Sequence, residues 1–205
     1  MTEPDVNGPW MGLEPGDGAG LFNALGIRWW IAGGWALDLA AGRAIRPHGD
    51  LDVAVPRAQA FLLTGLTLAG WEVYVAHQGT LTPWDGGTLE PPRWQFWVRE
   101  PGGPRWAFEV MLEDIALAED SEWRFRRDAS IRRLAREFGS VADTSRGPVP
   151  YVVPEIVLLY KAADPTGRNA TDFEVIVDLL SPGARTWLRD ALQLVAPRHA
   201  WLQRL

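Results

Sequence analysis

Cysteine is absent from this 205-residue chain, which excludes disulfides, thiolate zinc sites and a cysteine nucleophile together. Lysine is nearly absent: of 20 basic residues all but Lys161 are arginine. No apolar run approaches the roughly 20 residues of a membrane span. The opening Met1-Thr2-Glu3-Pro4-Asp5 lacks the basic and apolar regions of a signal peptide. The expected setting is cytoplasmic, with no membrane partner. Positive charge is in deficit, the net charge being −6, so nucleic acid is not the expected partner. An acidic surface suits a cationic small substrate instead. Low-complexity tracts are missing, and 47% hydrophobic with 22% charged residues marks a folded globular protein of one sizeable or two small domains.

Punctuation by glycine and proline divides the chain. Residues 1–20, rich in Gly, Pro and Asp, read as a flexible N-terminal arm. Leu21–Leu25 ends a short helix at Gly26, Arg28–Ala32 is a buried strand, and Trp35–Ala41 is a helix closed by Gly42. Leu51–Val55 is a second strand, and Ala58–Leu68 carries helical spacing after Pro56. Trp71–Ala76 is a strand, 79–92 a hairpin or loop, and Arg93–Arg99 and Arg105–Leu112 are strands joined by a Pro-Gly-Gly-Pro turn. Residues 119–150 carry no clear period. Beyond Pro150 the stretches Pro154–Ala163, Asp172–Leu180, Ala184–Val195 and Pro197–Leu205 all read as helices. The expected fold is α/β (α+β): a small mixed-sheet catalytic domain over 21–150, flanked by helices, and a helical C-terminal region over 151–205.

Chemistry concentrates at two linked motifs. Trp30-Ile31-Ala32-Gly33-Gly34-Trp35 takes an apolar strand through a double glycine into a helix, and bare amides at a helix N-terminus suit phosphate. Some fifteen residues on, Asp50-Leu51-Asp52-Val53 sets two carboxylates one residue apart in a second apolar strand. Residues two apart on a strand share a face, and like charges placed side by side call for a cation between them. A hard divalent ion such as Mg²⁺ is the natural one. In the stretch Arg105–Glu113, period-2 alternation turns Phe108, Val110 and Leu112 one way and Glu109, Met111 and Glu113 the other. Glu109 thereby offers a third acid. Three carboxylates on neighbouring strands could hold two Mg²⁺ ions around a nucleoside triphosphate. Each piece alone is commonplace; the combination and its order carry the reading.

These residues resemble the signature of the DNA polymerase beta nucleotidyltransferase superfamily. Ala32–Asp38, Gly42-Arg43 and Arg46-Pro47-His48-Gly49-Asp50-Leu51-Asp52-Val53 are most similar to the aminoglycoside 2″-adenylyltransferase-like and lincosamide nucleotidyltransferase group. The resemblance extends over Trp123–Asp128, Pro154–Ala162, Trp187-Leu188 and Pro197–Leu202, so it covers the chain from about residue 21. It implies transfer of a nucleoside monophosphate, AMP from ATP, onto a hydroxyl of a small molecule with release of pyrophosphate. An aminoglycoside-type antibiotic is the first acceptor it suggests. It implies Asp50, Asp52 and Glu109 as catalytic metal ligands, and Gly33 and Gly34 as the phosphate turn. Asp is more usual where Glu109 stands, so that acid reads as ligand, as base toward the acceptor, or as both. The group commonly carries a Lys-Asp pair shortly after the helix that ends in Lys161; here that place reads Arg168-Asn169-Ala170-Thr171-Asp172, and the expectation is that the basic residue and part of the nucleotide or substrate contacts are lost.

Several residues keep two readings. Arg46 is a triphosphate contact or a structural ion pair. Lys161, ending an apolar helix, is a nucleotide-phosphate ligand or a cation suited to the helix dipole. His48 is expected to be structural, and Asp38 to pair with Arg43. Arg126 and Arg127 line a cleft or form a solvated face. Trp29, Trp35, Trp71 and Trp106 are expected in the core; Trp84, Trp94 and Trp97 are core or a stacking wall for a base or sugar. Two rival functions stand beside the first: a superfamily member modifying RNA or protein, as in toxin–antitoxin systems, and a non-catalytic NTP-binding protein. The net charge of −6 argues against RNA in the former, which a locally basic groove around Arg124–Arg136 would revive, and two intact aspartates argue against the latter.

Overall fold

The computed structural model describes residues 5–100, 102–118 and 120–205. In chain order the elements are α1 (Pro15–Ala24), β1 (Trp30–Ile31), α2 (Gly33–Ala41), β2 (Asp52–Pro56), a 3₁₀ segment (Arg57–Leu63) leading into α3 (Thr64–Leu68), β3 (Glu72–His77), β4 (Thr80–Pro83), β5 (Gln95–Arg99), β6 (Trp106–Ile115), β7 (Glu122–Arg124), β8 (Arg132–Leu134), β9 (Gly139–Thr144), β10 (Gly147–Val152), α4 (Pro154–Lys161), α5 (Gly167–Ile176) and α6 (Pro182–Val195). A short 3₁₀ turn, Ala200–Gln203, follows. The strands form one mixed sheet in the order β4-β3-β5-β6-β2-β1-β10-β9, with β7 and β8 branching from the end of β6. The pairs β2–β6 and β1–β10 are parallel and the other pairs antiparallel. This is the mixed α/β architecture expected from the sequence. No helix among the described residues is long and apolar enough to cross a membrane.

The alternation seen in the sequence separates the two sides of the sheet. Val53, Val55, Phe96, Val98, Phe108, Val110 and Leu112 are wholly buried. Phe22 of α1 packs edge-on against Phe108 on that side, with ring centroids 5.4 Å apart. Asp52, Glu109 and Met111, one residue out of phase, are only half-buried. The period-2 rule thus places a core on one face and a site on the other.

Local chemistry redraws several expected boundaries. The N-terminal stretch is a docked segment and a helix where a flexible arm to residue 20 was expected. The amide of Trp106 donates to the Pro9 carbonyl and that of Met11 to the Trp106 carbonyl. Trp10 rests on Trp97 at 5.3 Å and on Trp106 at 6.4 Å. Glu14 and Asp17 then cap α1 reciprocally, with Pro15 at its first position. The first four residues of the expected arm lie outside the described ones. The helix expected over Ala58–Leu68 is divided into a 3₁₀ segment and a single α turn, and the period-free stretch 119–150 is four short strands.

Candidate active site

Asp52 opens β2, and the parallel register pairs it with Glu109 in β6. The two carboxylates therefore stand on neighbouring strands of the same face. Asp50 lies in the bend ahead of β2, so the aspartates do not share a strand as the Asp-x-Asp spacing suggested. Among the described residues, no three carboxylate or imidazole groups close into a metal-ligating cluster. The expected three-acid cage for two ions is thus not formed by side chains alone.

The acid pair is electrostatically frustrated. Burial pushes the Glu109 carboxyl up to about 8, the Asp52 charge adds to this, and the amide of Gln95, donating to Glu109, opposes it. Asp52 is raised to about 6 by burial and by Asp50, against the pull of Lys161, Arg168 and Arg46. The Asp50 charge thus raises both carboxyls and the Asp52 charge raises Glu109, and a cation among them relieves the repulsion.

The double glycine fits around this pair for steric reasons. Gly33 adopts φ +58°, and a Cβ there would fall 1.8 Å from Asp52 Oδ2. A Cβ on Gly34 would meet His48 at 2.5 Å and Arg46 Nη2 at 2.6 Å. Glycine at both positions lets the N-terminus of α2 approach the carboxylate and the Arg46 side chain. The missing side chains leave the backbone open toward Asp52.

The cations named from sequence are engaged elsewhere. Arg46 forks onto Asp172 (Nε–Oδ1 2.8 Å, Nη2–Oδ2 3.1 Å). Lys161 Nζ lies 2.9 Å from Asp172 Oδ2 and donates to Asn169 Oδ1 at 3.0 Å. Asp172 is 1% exposed. Burial would raise its pKa, but the bonds from Arg46 and Lys161 hold it below the ordinary carboxylate value. Arg46 Nη1 also donates to His48 Nδ1 at 3.1 Å. That leaves the His48 proton on Nε2, which donates to Asp38 Oδ2 at 2.8 Å. Asp38 therefore pairs with His48 and accepts from the Ile45 amide; among the described residues it forms no ion pair with Arg43. A chain of contacts runs Asp38–His48–Arg46–Asp172–Lys161 and ties α2 to α4 and α5.

Arg168 was passed over in the sequence because the Lys-Asp pair of the group is missing there. It sits exposed on the first turn of α5, and its charge draws down both Asp52 and Glu109. A basic residue therefore does stand at this position. Gln95 gave no sequence signal, because its link to Glu109 depends on the β5–β6 register.

A cavity of 320 Å³ is lined by Gly33 and Asp52, by Lys161, Asp164 and Asn169, by the apolar side chains of Ala54, Met111, Phe138, Val152 and Val157, and by Glu113, Arg126 and Tyr160. A larger cavity of 650 Å³ opens beyond Glu113, around Arg57, Asp114 and Glu122, away from the acid pair. Of the three tryptophans weighed as a stacking wall, Trp84 is buried against Phe96. Trp94 carries the Arg57 guanidinium at 4.2 Å, and Trp97 packs on Trp10 and Trp106.

Residues 19–76, which hold Gly33, Gly34, Asp50 and Asp52, match the family model described as aminoglycoside-2″-adenylyltransferase. No curated protein matches the sequence. Two solved structures share the fold. ANT(2″)-Ia in complex with adenylyl-2″-tobramycin superposes with a TM-score of 0.56 at 15% identity, over 86% of this chain and 94% of that one. The lincosamide antibiotic adenylyltransferase LnuA, bound to lincomycin, does so with a TM-score of 0.52 at 16% identity, over 76% of this chain and 89% of that one. At such identities the likeness is one of fold. The family model that matches residues 19–76 and both fold neighbours are described as adenylyltransferases.

Proposed function

We propose that this chain, a nucleotidyltransferase related to the antibiotic adenylyltransferases, moves AMP from ATP onto a hydroxyl of a small acceptor, with pyrophosphate leaving. The observation that carries the reading is the Asp52–Glu109 pair: two carboxylates in register, both raised by burial and by the Asp50 charge, with Asp52 acting on Glu109 as well, and with a glycine backbone pressed against Asp52. A structural carboxylate has no need of such an arrangement, as Asp172 with its two cations illustrates.

The donor set fits a hard divalent cation. Mg²⁺ keeps waters and phosphates in its shell, so two protein carboxylates suffice, and Asp52 and Glu109 are the residues to hold it, with Asp50 beside them. When bound, the ion lowers the pKa of the attacking hydroxyl and neutralises charge on the triphosphate. Gly33 and Gly34 present the α2 N-terminus to the phosphates. Arg168 faces the same region and supplies positive charge where the leaving pyrophosphate develops negative charge. Lys161 and Arg46 contribute field from the Asp172 cluster, and their ion pairs fix where that field originates. Glu109, whose burial raises its proton affinity, accepts the proton of the acceptor hydroxyl. Gln95 positions it through a hydrogen bond.

A cationic polyhydroxylated acceptor of the aminoglycoside type suits the net charge of −6. The test is incubation with Mg²⁺, labelled ATP and a panel of aminoglycosides, lincosamides and tRNA. The expected result is pyrophosphate release matched one-to-one by labelled small-molecule product. Labelled tRNA, or release that persists in Asp52→Asn, overturns the proposal.

A further inference from the structure

Two chemically distinct groups of residues line the 320 Å³ cavity. One is Gly33, Asp52 and Lys161, and the groups whose charges act on Asp52 are Asp50, Lys161, Arg168 and Arg46. The other is Glu113, Arg126 and Tyr160, further along the sheet in that Glu113 stands opposite Pro56 where Glu109 stands opposite Asp52, and the charge that acts on Glu113 is chiefly that of Arg126. Glu113 is 2% exposed. Its Oε2 accepts both the Trp123 indole N–H and the Tyr160 hydroxyl, each at 2.8 Å, which leaves Oε1 for another donor. The Arg126 guanidinium lies over the Tyr160 ring at 4.7 Å and 6.0 Å from the Trp94 ring. Its Nη1 is buried with no hydrogen-bond partner, a state that costs free energy until something accepts from it. One unused donor and one unused acceptor therefore belong to residues that line this cavity, together with the apolar Met111, Phe138 and Val152.

We infer that Arg126 and Glu113 are the base-reading residues of this cavity, taking a nucleobase edge with a ring-nitrogen acceptor beside an exocyclic amine, as adenine presents. The inference rests on the nucleotidyl-transfer reading and adds the residues that select the nucleotide. Glu113 lies four residues beyond Glu109 on β6, about 13 Å at a strand's rise of ~3.3 Å per residue. That separation suits a purine nucleotide whose α-phosphate is at Asp52 better than a shorter pyrimidine one. The amine donates to Glu113, the ring nitrogen accepts from Arg126, and the base plane lies along the apolar walls. Met111 supplies a polarisable contact to the ring.

The test measures equilibrium binding in the presence of Mg²⁺ of three probes: ATP, purine riboside triphosphate (which lacks the 6-amine) and inorganic tripolyphosphate (which has no base). Wild-type protein is expected to bind ATP about tenfold more tightly than the amine-less analogue. Arg126→Met should weaken ATP about tenfold while leaving tripolyphosphate unchanged; Arg168→Met should weaken both. Glu113→Gln keeps an oxygen for Trp123 and Tyr160, and it should abolish the preference for ATP over the analogue. Equal binding of ATP and the analogue by wild-type protein overturns the inference without any variant. A parallel loss of ATP and tripolyphosphate in Arg126→Met also overturns it, by making Arg126 a phosphate ligand. If wild-type protein binds neither ATP nor tripolyphosphate, the nucleotidyl-transfer reading fails and this inference with it, a result distinct from the two above.

Discussion

Two acid centres of this fold, one buried around Asp172 and one half-buried around Asp52 and Glu109, are built in opposite ways. Around Asp172 every charge is answered: Arg46 forks onto it, Lys161 caps it, and its carboxyl is held below the ordinary range. Around Asp52 and Glu109 nothing among the described residues answers fully, and both carboxyls are pushed up. The first centre is satisfied without a ligand; the second is not. The contrast separates residues that hold the protein together from residues that wait for a substrate, and it moves Lys161 and Arg46 toward the first group.

The largest effect expected from this contrast is on catalysis. Asp52→Asn should lower the rate of pyrophosphate release by about 10³-fold or more, since it removes a charge that acts in the transition state. The same protein should fold and melt at or above the wild-type temperature, because an unrelieved like charge has gone. Asp172→Ala should do the reverse. It strands Arg46 and Lys161 with no counter-charge, and the expected loss is roughly 3–5 kcal/mol of stability, measured by urea unfolding. If Asp172→Ala unfolds no more readily than wild type, the two centres do not differ as described.

A third variant sharpens the comparison through pH. Folding raises the Glu109 pKa from its ordinary 4.5 to about 8, so between those values the folded chain holds a proton that the unfolded chain has released. Stability on this account falls as pH rises across that window. Glu109→Gln should therefore stabilise the ligand-free protein at pH 8 by roughly 1–3 kcal/mol, read from melting curves. The advantage should shrink on acidification and vanish below about pH 4.5. An advantage that is constant with pH contradicts the assignment of the raised pKa to this acid. Arg168→Met is expected to have the smallest effect: about a tenfold rise in KM for the nucleotide, with stability within ~0.5 kcal/mol of wild type, because Arg168 is exposed on the first turn of α5.

Much of this was legible in the chain, and the physics separates what was from what was not. Alternation in Trp106–Glu113 correctly separated Phe108, Val110 and Leu112 from Glu109 and Met111, because burial of one sheet face is written at period 2. Gly42 marked the end of α2, where the chain takes φ +65°. The run 119–150 was illegible because its strands are short and its β9 edge exposes residues such as Val141, 61% accessible. The docking of Trp10 against Trp97 depends on a contact across some ninety residues, and no local period encodes that. The partners of Asp38 and Asp172 were missed for the same reason: which cation reaches a buried acid is settled by how helices pack. Asp50 was placed on the strand by spacing alone, and the bend at Gly49-Asp50 takes it off.

The most direct test of the account needs no acceptor. It is the melting temperature of wild-type protein and Asp52→Asn at neutral pH, each with and without Mg²⁺ and a non-hydrolysable ATP analogue. A ligand that binds only the folded state stabilises it in proportion to its affinity. The account predicts that Asp52→Asn starts no lower than wild type yet gains little from the ligands, while wild-type protein gains several degrees. Equal gains in the two proteins would place the nucleotide somewhere other than the Asp52–Glu109 pair and contradict the account.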